Sequence, residues 1–417
     1  MKPQKEEWFI GIEVSRRWLQ ISCYHANLEE PETKGTIAGT EVFQIPTALC
    51  KRKQTGQWCF GEEARKLAEA DEGYYVADLL KRAYDKETLS LDQDYPAEEL
   101  LFLFFRKVIR LALPPQGVQA VTKCVFSLES ITKESTEFIG KLAQRLGFQA
   151  QQLLIQDHRE SFYAYVVSQE ESLWQHHAAL FEEEGNGVRC CLLFCDPKTK
   201  PRVSEVAEAY LGKLPQEEHE RDQAFLNMLK KVFAGRIVSA VYLIGAGFET
   251  GWMKESLQMV CRGRRAFQGK NLYTKGACHA GVLQVRQDEA ETVYFCEYKV
   301  KEHVSFKVSK GDGEYFYPLA EAGCNHHQIA KELRILLEGE PLLELWFQQP
   351  GSREARVESL ELSGLKLSER ERCRLSVSVE PGEEESIILQ VKDLGFGTQK
   401  PGSRLEWEYE IGKEQQA

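Results

Sequence analysis

The chain has 417 residues, of which 42% are hydrophobic and 28% charged, and its formal net charge is −11 at pH 7. This length exceeds one ordinary core, so we expect two or three domains. The acidic balance excludes nucleic acid as a main partner, because phosphates are bound by basic surfaces. The most apolar segment, Leu100–Phe105, is followed by Arg106 and Lys107 and is far shorter than the roughly 20 residues that cross a bilayer. We therefore expect a soluble protein that does not bind membranes.

Cysteines and histidines give no pattern typical of a disulfide framework or a metal site. The 12 cysteines are scattered through apparent core segments without a CxxC pair. The adjacent pairs His176–His177 and His326–His327 diverge on any regular element, so we expect no metal. Residues 1–8 carry acids and lead directly into a strand pattern, without the apolar core of a signal peptide. These features favour a cytoplasmic protein.

In chain order, the first half alternates between strand and helix patterns. Residues 8–24 alternate like a strand, and Thr40–Leu49 continues with extended, β-branched character. Helical periodicity follows at Gly61–Ala68 and at Tyr95–Ala112, where Pro96 occupies a position typical of a first turn.

A strand–helix–strand pattern comes next. It consists of a strand at Ala120–Ser127, a helix that begins near Thr132, and a strand at Leu153–Ile155. This spacing predicts a layered α/β domain with a crossover connection. The turn-rich segment Glu182–Gly187 predicts a boundary, so we assign residues 1–185 to a first lobe.

A second α/β pattern occupies residues 186–292. Strands are predicted at 188–195 and 203–211, a helix near Glu217–Phe233, and a strand at Ser239–Ile244 that ends in Gly-Ala-Gly. We expect a second, reduced lobe.

From residue 293 to 412 the period of the hydrophobic pattern changes to two. Short strands are predicted at Val304–Val308, Leu333–Leu337, Leu342–Phe347, Val357–Leu362, Cys373–Val379 and Ile387–Val391. Gly, Pro and acidic turns separate them, which indicates a separate antiparallel β domain. The polar tail after Ile411 is expected to fray.

The order of these motifs resembles the seventy-kilodalton heat-shock chaperones of the actin-like ATPase superfamily. Phe9–Leu19 and Cys191–Pro201 look like the two phosphate-binding hairpins, and Leu154–Tyr165 is similar to the connecting motif between lobes. Val241–Phe248 resembles the adenosine motif and Lys275–Ala277 the closing helix. The resemblance covers about residues 8–400.

This resemblance implies a two-lobed actin-like (ribonuclease-H-like) α/β fold with a truncated second lobe. A C-terminal antiparallel β-sandwich, similar to the chaperones' substrate-binding domain, would follow. The family's long insertion between the second hairpin and the adenosine motif is missing, since Asp196 and Gly245 are separated by fewer than fifty residues. The chain would then be a degenerate bacterial branch of the superfamily.

The resemblance also implies candidate catalytic residues. Glu13, Asp157 and Asp196 stand at the positions of the family's acids, and Lys81 is a candidate for the catalytic cation. Hydrolysis of a triphosphate on this frame needs carboxylates for magnesium and water and a cation for the transferred group.

The candidate nucleotide-binding residues are Gly11, Ser15, Lys198, Gly245 and Gly247. The hairpins, however, lack most of the glycines that let backbone amides approach phosphate oxygens. The first turn reads Ser-Arg-Arg, and in the second a proline removes an amide donor. We therefore expect no catalysis and no bound cofactor, with ATP and Mg²⁺ as the alternative.

Three functional hypotheses remain open. The first is a non-hydrolysing chaperone-like pseudo-ATPase that binds a polypeptide or partner protein. Strand addition at a sheet edge would suit that partner, and Tyr315–Pro318 and Gly323–His327 are candidates for the border of such a groove. The second is an active ATP hydrolase with unusual loops. The third is an actin-like assembly or scaffold protein.

Overall fold

The computed structural model describes residues 2–37, 39–185, 187–286, 291–310, 313–367, 371–383, 386–396 and 400–412. The chain forms two compact units, one comprising residues 1–196 and 204–290 and the other residues 197–203 and 291–417. The first unit is mixed α/β and the second consists mainly of β-strands. Within the described ranges, no helix has the length and apolar character needed to cross a membrane. The tail predicted to fray lies largely outside the described residues, which end at Gly412.

Sixteen strands in the described part of the chain belong wholly or mainly to the first unit. In chain order they are β1 (Trp8–Val14), β2 (Trp18–His25), β3 (Glu32–Lys34), β4 (Ile45–Pro46), β5 (Leu49–Arg52), β6 (Trp58–Phe60), β7 (Gly73–Val76), β8 (Thr88–Ser90), β9 (Asp94–Pro96), β10 (Lys123–Leu128), β11 (Leu153–Asp157), β12 (His177–Glu184), β13 (Gly187–Cys195), β14 (Arg202–Gly212), β15 (Val238–Ile244) and β16 (Arg265–Gly269). Strand β14 belongs to this unit from Ser204 onward.

The α-helices also lie in the first unit. They are α1 (Gly61–Glu69), α2 (Leu79–Tyr84), α3 (Ala97–Val108), α4 (Lys133–Arg145), α5 (His158–Val167), α6 (Glu218–Phe233), α7 (Glu255–Cys261) and α8 (Leu272–Val285). Helix α4 begins as predicted, because the hydroxyl of Thr132 accepts a hydrogen bond from the amide of Ser135 in a capping box. Helix α3 begins one residue after Pro96, which is its N-cap.

Two sheets of the first unit share one strand order. The first sheet runs β11-β10-β1-β2-β3, and the second runs β16-β15-β12-β13-β14. In each sheet, the first three strands along the chain pair antiparallel. The fourth strand pairs in parallel with the first, and the fifth pairs in parallel with the fourth. Residues 8–24, predicted as one strand, are two strands joined by the turn at Ser15–Arg17.

Strand β12 was not predicted as part of the second lobe. It pairs with β13 and β15, so the boundary predicted at residue 185 falls inside the β12–β13 hairpin. Within this acidic, glycine-containing segment, Glu182–Glu184 end β12 and Gly187 begins β13. A run of Glu, Gly and Asn is typical of a loop between domains and of a hairpin turn alike, so composition did not distinguish the two.

Helices α5 and α8 pack against each other, and α8 also packs on β1 of the first sheet. Glycines permit both close approaches. A Cβ added at Gly276 would lie 2.0 Å from the carbonyl oxygen of Ser161 in α5, and one at Gly11 would lie 2.1 Å from the carbonyl oxygen of Thr274. These two glycines are therefore needed where helix meets helix and helix meets strand.

The second unit is built mainly from antiparallel strands. In chain order they are β17 (Thr292–Tyr294), β18 (His303–Lys310), β19 (Gly313–Ala320), β20 (Lys331–Glu338), β21 (Leu342–Gln348), β22 (Ala355–Glu361), β23 (Arg372–Pro381), β24 (Ile387–Asp393), β25 (Gly395–Phe396), β26 (Lys400–Pro401) and β27 (Glu406–Ile411). Two four-stranded sheets, β19-β18-β21-β22 and β20-β23-β24-β27, contribute to one buried cluster that includes Phe306, Leu345 and Val377.

Candidate functional site

The candidate site of the first unit lies where strands of its two sheets and helices α5 and α8 meet. Glu13 is buried near the end of β1, and its backbone pairs with Ser127 of β10. Side chains alternate along a strand, so Glu13 shares the face of β1 on which Gly11 contacts α8. Asp157 ends β11 and is buried at the N-terminus of α5.

Asp157 has a structural role at the start of helix α5. Its carboxylate accepts a hydrogen bond of 2.8 Å from the amide of Glu160 and thereby caps helix α5. The same carboxylate forms an ion pair of 2.7 Å with the guanidinium of Arg159. A carboxylate held by both contacts would have to give up an ion pair before it could bind a divalent cation.

Further ion pairs connect Arg159 to charged side chains of the second sheet. The guanidinium of Arg159 lies 3.9 Å from Glu208, which in turn lies 3.4 Å from Arg189. Arg189 is 2.9 Å from Glu182 of β12, which is buried. Asp157, Arg159, Glu208, Arg189 and Glu182 are hereafter called the ion-pair chain. Three carboxylates and two guanidiniums alternate along it, so each guanidinium lies between two acids.

Tyr273 and His158 cover the Glu182 end of the ion-pair chain. The hydroxyl of Tyr273 donates a 3.0 Å hydrogen bond to Glu182, and its ring stacks on the imidazole of His158 at 4.2 Å. Burial, followed by the charge of Glu182, raises the pKa of Tyr273 well above its usual value. Burial, followed by the charge of Arg189, lowers the pKa of His158 to about 3. Both side chains are therefore neutral near pH 7.

The hairpin turn after β1 is closed by its own backbone. The amide of Ser15 donates to the carbonyl of Trp18 at 2.9 Å, and the amide of Thr47 donates to the carbonyl of Arg17 at 2.9 Å. Arg16 and Arg17 are exposed at the tip. The Ser15 amide is thus already bonded, whereas a phosphate-binding loop presents its amides to the ligand.

Gly245 and Gly247 pack against the acid that follows Glu182. A Cβ at Gly245 would lie 2.2 Å from the carbonyl oxygen of Glu183, and one at Gly247 would lie 1.6 Å from a carboxylate oxygen of Glu183. That carboxylate is bound by the guanidinium of Arg221, which lies 4.9 Å from the ring centroid of Trp252. These contacts account for both small residues without a nucleotide.

Asp196 and Lys81 lie elsewhere in the first unit. Glu182 lies near the turn between β12 and β13, whereas Asp196 follows the far end of β13. The nine residues of β13 place Asp196 about 30 Å from that turn. Lys81 is half exposed on the short helix α2, 3.9 Å from Asp85. Lys198 lies in the segment 197–203, which belongs to the second unit.

Glu182, Arg159 and Arg189 are the residues that sequence reasoning missed. Glu182 could have been found from the apolar run Ala178–Phe181 that directly precedes it. An apolar strand followed by an acid is also the pattern of Phe9–Glu13. In the described ranges, no group of three or more His, Cys, Asp or Glu side chains is arranged to hold a metal ion.

Comparison with known proteins places the chain in a family. A family model described as "Family of unknown function (DUF5716) C-terminal" matches residues 30–297, which is more than half of the chain. The chain belongs to the DUF5716 family. A second model, described as "Domain of unknown function (DUF8552)", matches residues 299–412. No curated protein matches the sequence significantly. The DUF5716 match thus covers most of the first unit, and the DUF8552 match covers most of the second.

Proposed function

We propose that the protein is a heat-shock-chaperone-like pseudo-ATPase that does not hydrolyse ATP and that binds a polypeptide or partner protein. The observation that carries this proposal is the ion-pair chain. Its guanidiniums neutralise Asp157 and Glu182, which end or nearly end strands of the two sheets. Carboxylates in these positions would otherwise be available to magnesium and water.

The shared strand order of the two sheets supports an actin-like frame. Each sheet has three antiparallel strands followed by two that join in parallel, which is the topology expected of a duplicated ribonuclease-H-like lobe. Helices α5 and α8 pack closely through Gly276, at the position of the connecting motif and closing helix. The second unit, with two sheets around one core, suits the β-sandwich of a substrate-binding domain.

The β19 edge of the second unit supports a polypeptide as the partner. Among the described strands, β19 lies at one edge of its sheet and β22 at the other. Tyr315, Phe316 and Tyr317 are consecutive on it and 37–52% exposed. Phe316 also contacts Trp346 on the sheet surface, with ring centroids 5.3 Å apart. An exposed edge of this kind offers main-chain hydrogen bonds and apolar contacts to an extended segment.

Lys331 marks one end of this edge. Its ammonium donates to the carbonyl oxygen of Pro318 at 2.5 Å and lies 6.0 Å from the ring centroid of Tyr317. The carbonyl of Pro318 is thereby occupied, so an added strand would pair with the residues that precede it. The accessible stretch is Gly313–Tyr317, which is long enough for the short pairing typical of strand addition.

The proposal is tested with a fluorescent, reduced and carboxymethylated protein that stays unfolded, titrated with the full chain in an anisotropy assay. We expect binding that Phe316→Ser weakens roughly tenfold, which corresponds to the loss of one well-placed aromatic contact. Tyr210→Ser is the matched control, because Tyr210 is an aromatic residue 63% exposed in the first unit. Equal binding by both variants, or none by the wild type, would contradict the proposal.

Two alternative functions predict other results. An active ATP hydrolase would release phosphate at a rate that falls with Glu13→Gln. An actin-like assembly protein would increase in mass with concentration, as light scattering would report. We favour the pseudo-ATPase because the ion-pair chain and the packed glycines lie where the proposed actin-like frame would hold magnesium and adenosine.

A further inference from the structure

Two cysteines occupy opposed backbone positions in the small sheet β6-β5-β7 of the first unit. Cys50 of β5 and Cys59 of β6 are directly opposed in the antiparallel register. They are the one pair of cysteines in such opposition in the strand registers that the structure describes. Both thiols are free.

The Cα separation expected for this pair falls within the range of disulfides. The amide of Arg52 donates to the carbonyl of Gln57 at 2.9 Å, two residues further along the ladder. Because bonded pairs alternate, Cys50 and Cys59 form a hydrogen-bonded pair, whose Cα atoms lie about 5.5 Å apart. Disulfide-bonded cysteines have Cα atoms about 4.4–6.8 Å apart.

The two side chains also point to the same side of the sheet. Directly opposed residues share a face, and Cys50 and Cys59 belong to one buried cluster with Ala64 and Leu67 of helix α1. A bridge between them would lie beneath α1 and would join β5 to the strand that leads directly into this helix.

Arg52 gives one of the thiols a distinct environment. Arg52 shares a hydrogen bond with Cys59 and forms an ion pair of 2.7 Å with Glu63. Burial raises the pKa of both thiols; at Cys59 a hydrogen bond with Arg52 lowers the pKa, and one with Glu63 raises it. Cys59 is 6% exposed and Cys50 is 0% exposed. Cys59 is therefore the thiol that reacts first, because the nucleophile is the thiolate and must be reached from solvent.

We propose that Cys50 and Cys59 are a redox-active dithiol that a low-molecular-weight disulfide converts into a protein disulfide. The Cys59 thiolate attacks one sulfur of the small disulfide, forms a mixed disulfide and releases one small thiolate. The Cys50 thiolate then attacks the sulfur of Cys59, forms the intramolecular bond and releases the second small thiolate. The two protons of the protein thiols go to the two released thiolates, so two protein thiols are oxidised and one small disulfide is reduced.

The experiment exposes the folded, reduced full chain to oxidised glutathione, blocks the remaining thiols and maps the peptides by mass spectrometry. We expect a peptide pair that joins Cys50 to Cys59 and lacks two hydrogen atoms. Cys59→Ala should abolish the bridge, and Arg52→Gln should slow its formation roughly two- to fivefold. Cys261→Ser is the matched control, because Cys261 is exposed and its loss should leave the rate of bridging unchanged.

A second readout depends on the wild type alone. Since fewer thiols are ionised below their pKa, the bridge should form faster as the pH is raised through the alkaline range. The proposal would be overturned if Cys50 and Cys59 stay reduced in the folded protein, if either carries glutathione without forming the bridge, or if the bridge forms only in denaturant.

Discussion

Lowering the pH should destabilise the first unit, because folded His158 does not readily take up a proton. The substitution His158→Phe should remove that destabilisation. Both ring nitrogens of His158 are buried and make no hydrogen bond among the described residues, while the ring stacks on Tyr273. A phenyl ring keeps the stacking and has no proton to bind. Burial lowers the pKa of His158 to about 3, whereas an unfolded histidine has a pKa of about 6.5.

The size of the effect follows from linkage. The pKa of His158 is lower in the folded than in the unfolded chain. Above about pH 6.5 the ring is neutral in both states and does not change the free energy of unfolding, which decreases as the pH falls from there towards the folded pKa. At about pH 5 only the unfolded chain has taken up the proton, which favours unfolding by about 2 kcal/mol. This figure depends on the unfolded pKa, so it stays the same if the folded pKa is a unit higher.

The assay is urea unfolding of wild type and His158→Phe at about pH 7.5 and about pH 5, followed by the helical circular dichroism signal. The α-helices of the described chain all lie in the first unit, so this signal reports on the relevant unit. The wild type should lose about 2 kcal/mol more than the variant on acidification. His219→Gln is the control, because His219 is exposed on α6. Equal losses in wild type and His158→Phe would refute the reasoning.

Two further substitutions test the packing of the candidate site and its frame. Arg189→Met should destabilise the first unit by about 3 kcal/mol, because it leaves the buried Glu182 without the guanidinium 2.9 Å away; a second change, Glu182→Leu, should restore most of that loss in denaturant titrations. Gly276→Ala should cost about 3 kcal/mol or more, because the new Cβ would lie 2.0 Å from the backbone oxygen of Ser161. Gly140→Ala in α4 is the control, because the new Cβ would meet no atom within 4 Å; it should stabilise the unit by about 0.5–1 kcal/mol. Equal shifts of the melting temperature for the two glycine variants would be inconsistent with the close packing of α5 and α8.

The sequence predicted the elements with strong periodicity. Helix α6 was expected near Glu217–Phe233 and spans Glu218–Phe233, and β13 was expected at 188–195 and spans Gly187–Cys195. Both have an apolar pattern that agrees with their burial. Short strands such as β16, whose five residues are all exposed, carry no such pattern, because pairing and surface contacts place them rather than burial of an apolar face.

The candidate site was harder to predict, for two physical reasons. Carboxylates such as Glu13 and Asp157 could be recognised from their place after an apolar strand. The pairing of Asp157 with Arg159 and of Glu182 with Arg189 follows from the local fold of a helix N-terminus and a hairpin, and Glu208 of β14 joins the two pairs only once β13 and β14 are aligned. An apolar pattern reveals none of these contacts. In addition, Asp196 follows a strand just as Glu182 follows an apolar run, and only the folded structure shows that Glu182 contacts Tyr273 of α8.

Isothermal titration calorimetry of the full chain with magnesium ATP tests the central claim most directly. If the acids of the two sheets are engaged by Arg159 and Arg189, the titration should show no saturable heat, and Asp157→Asn should give the same flat trace. One-site binding that Glu13→Gln and Asp157→Asn abolish would contradict the account.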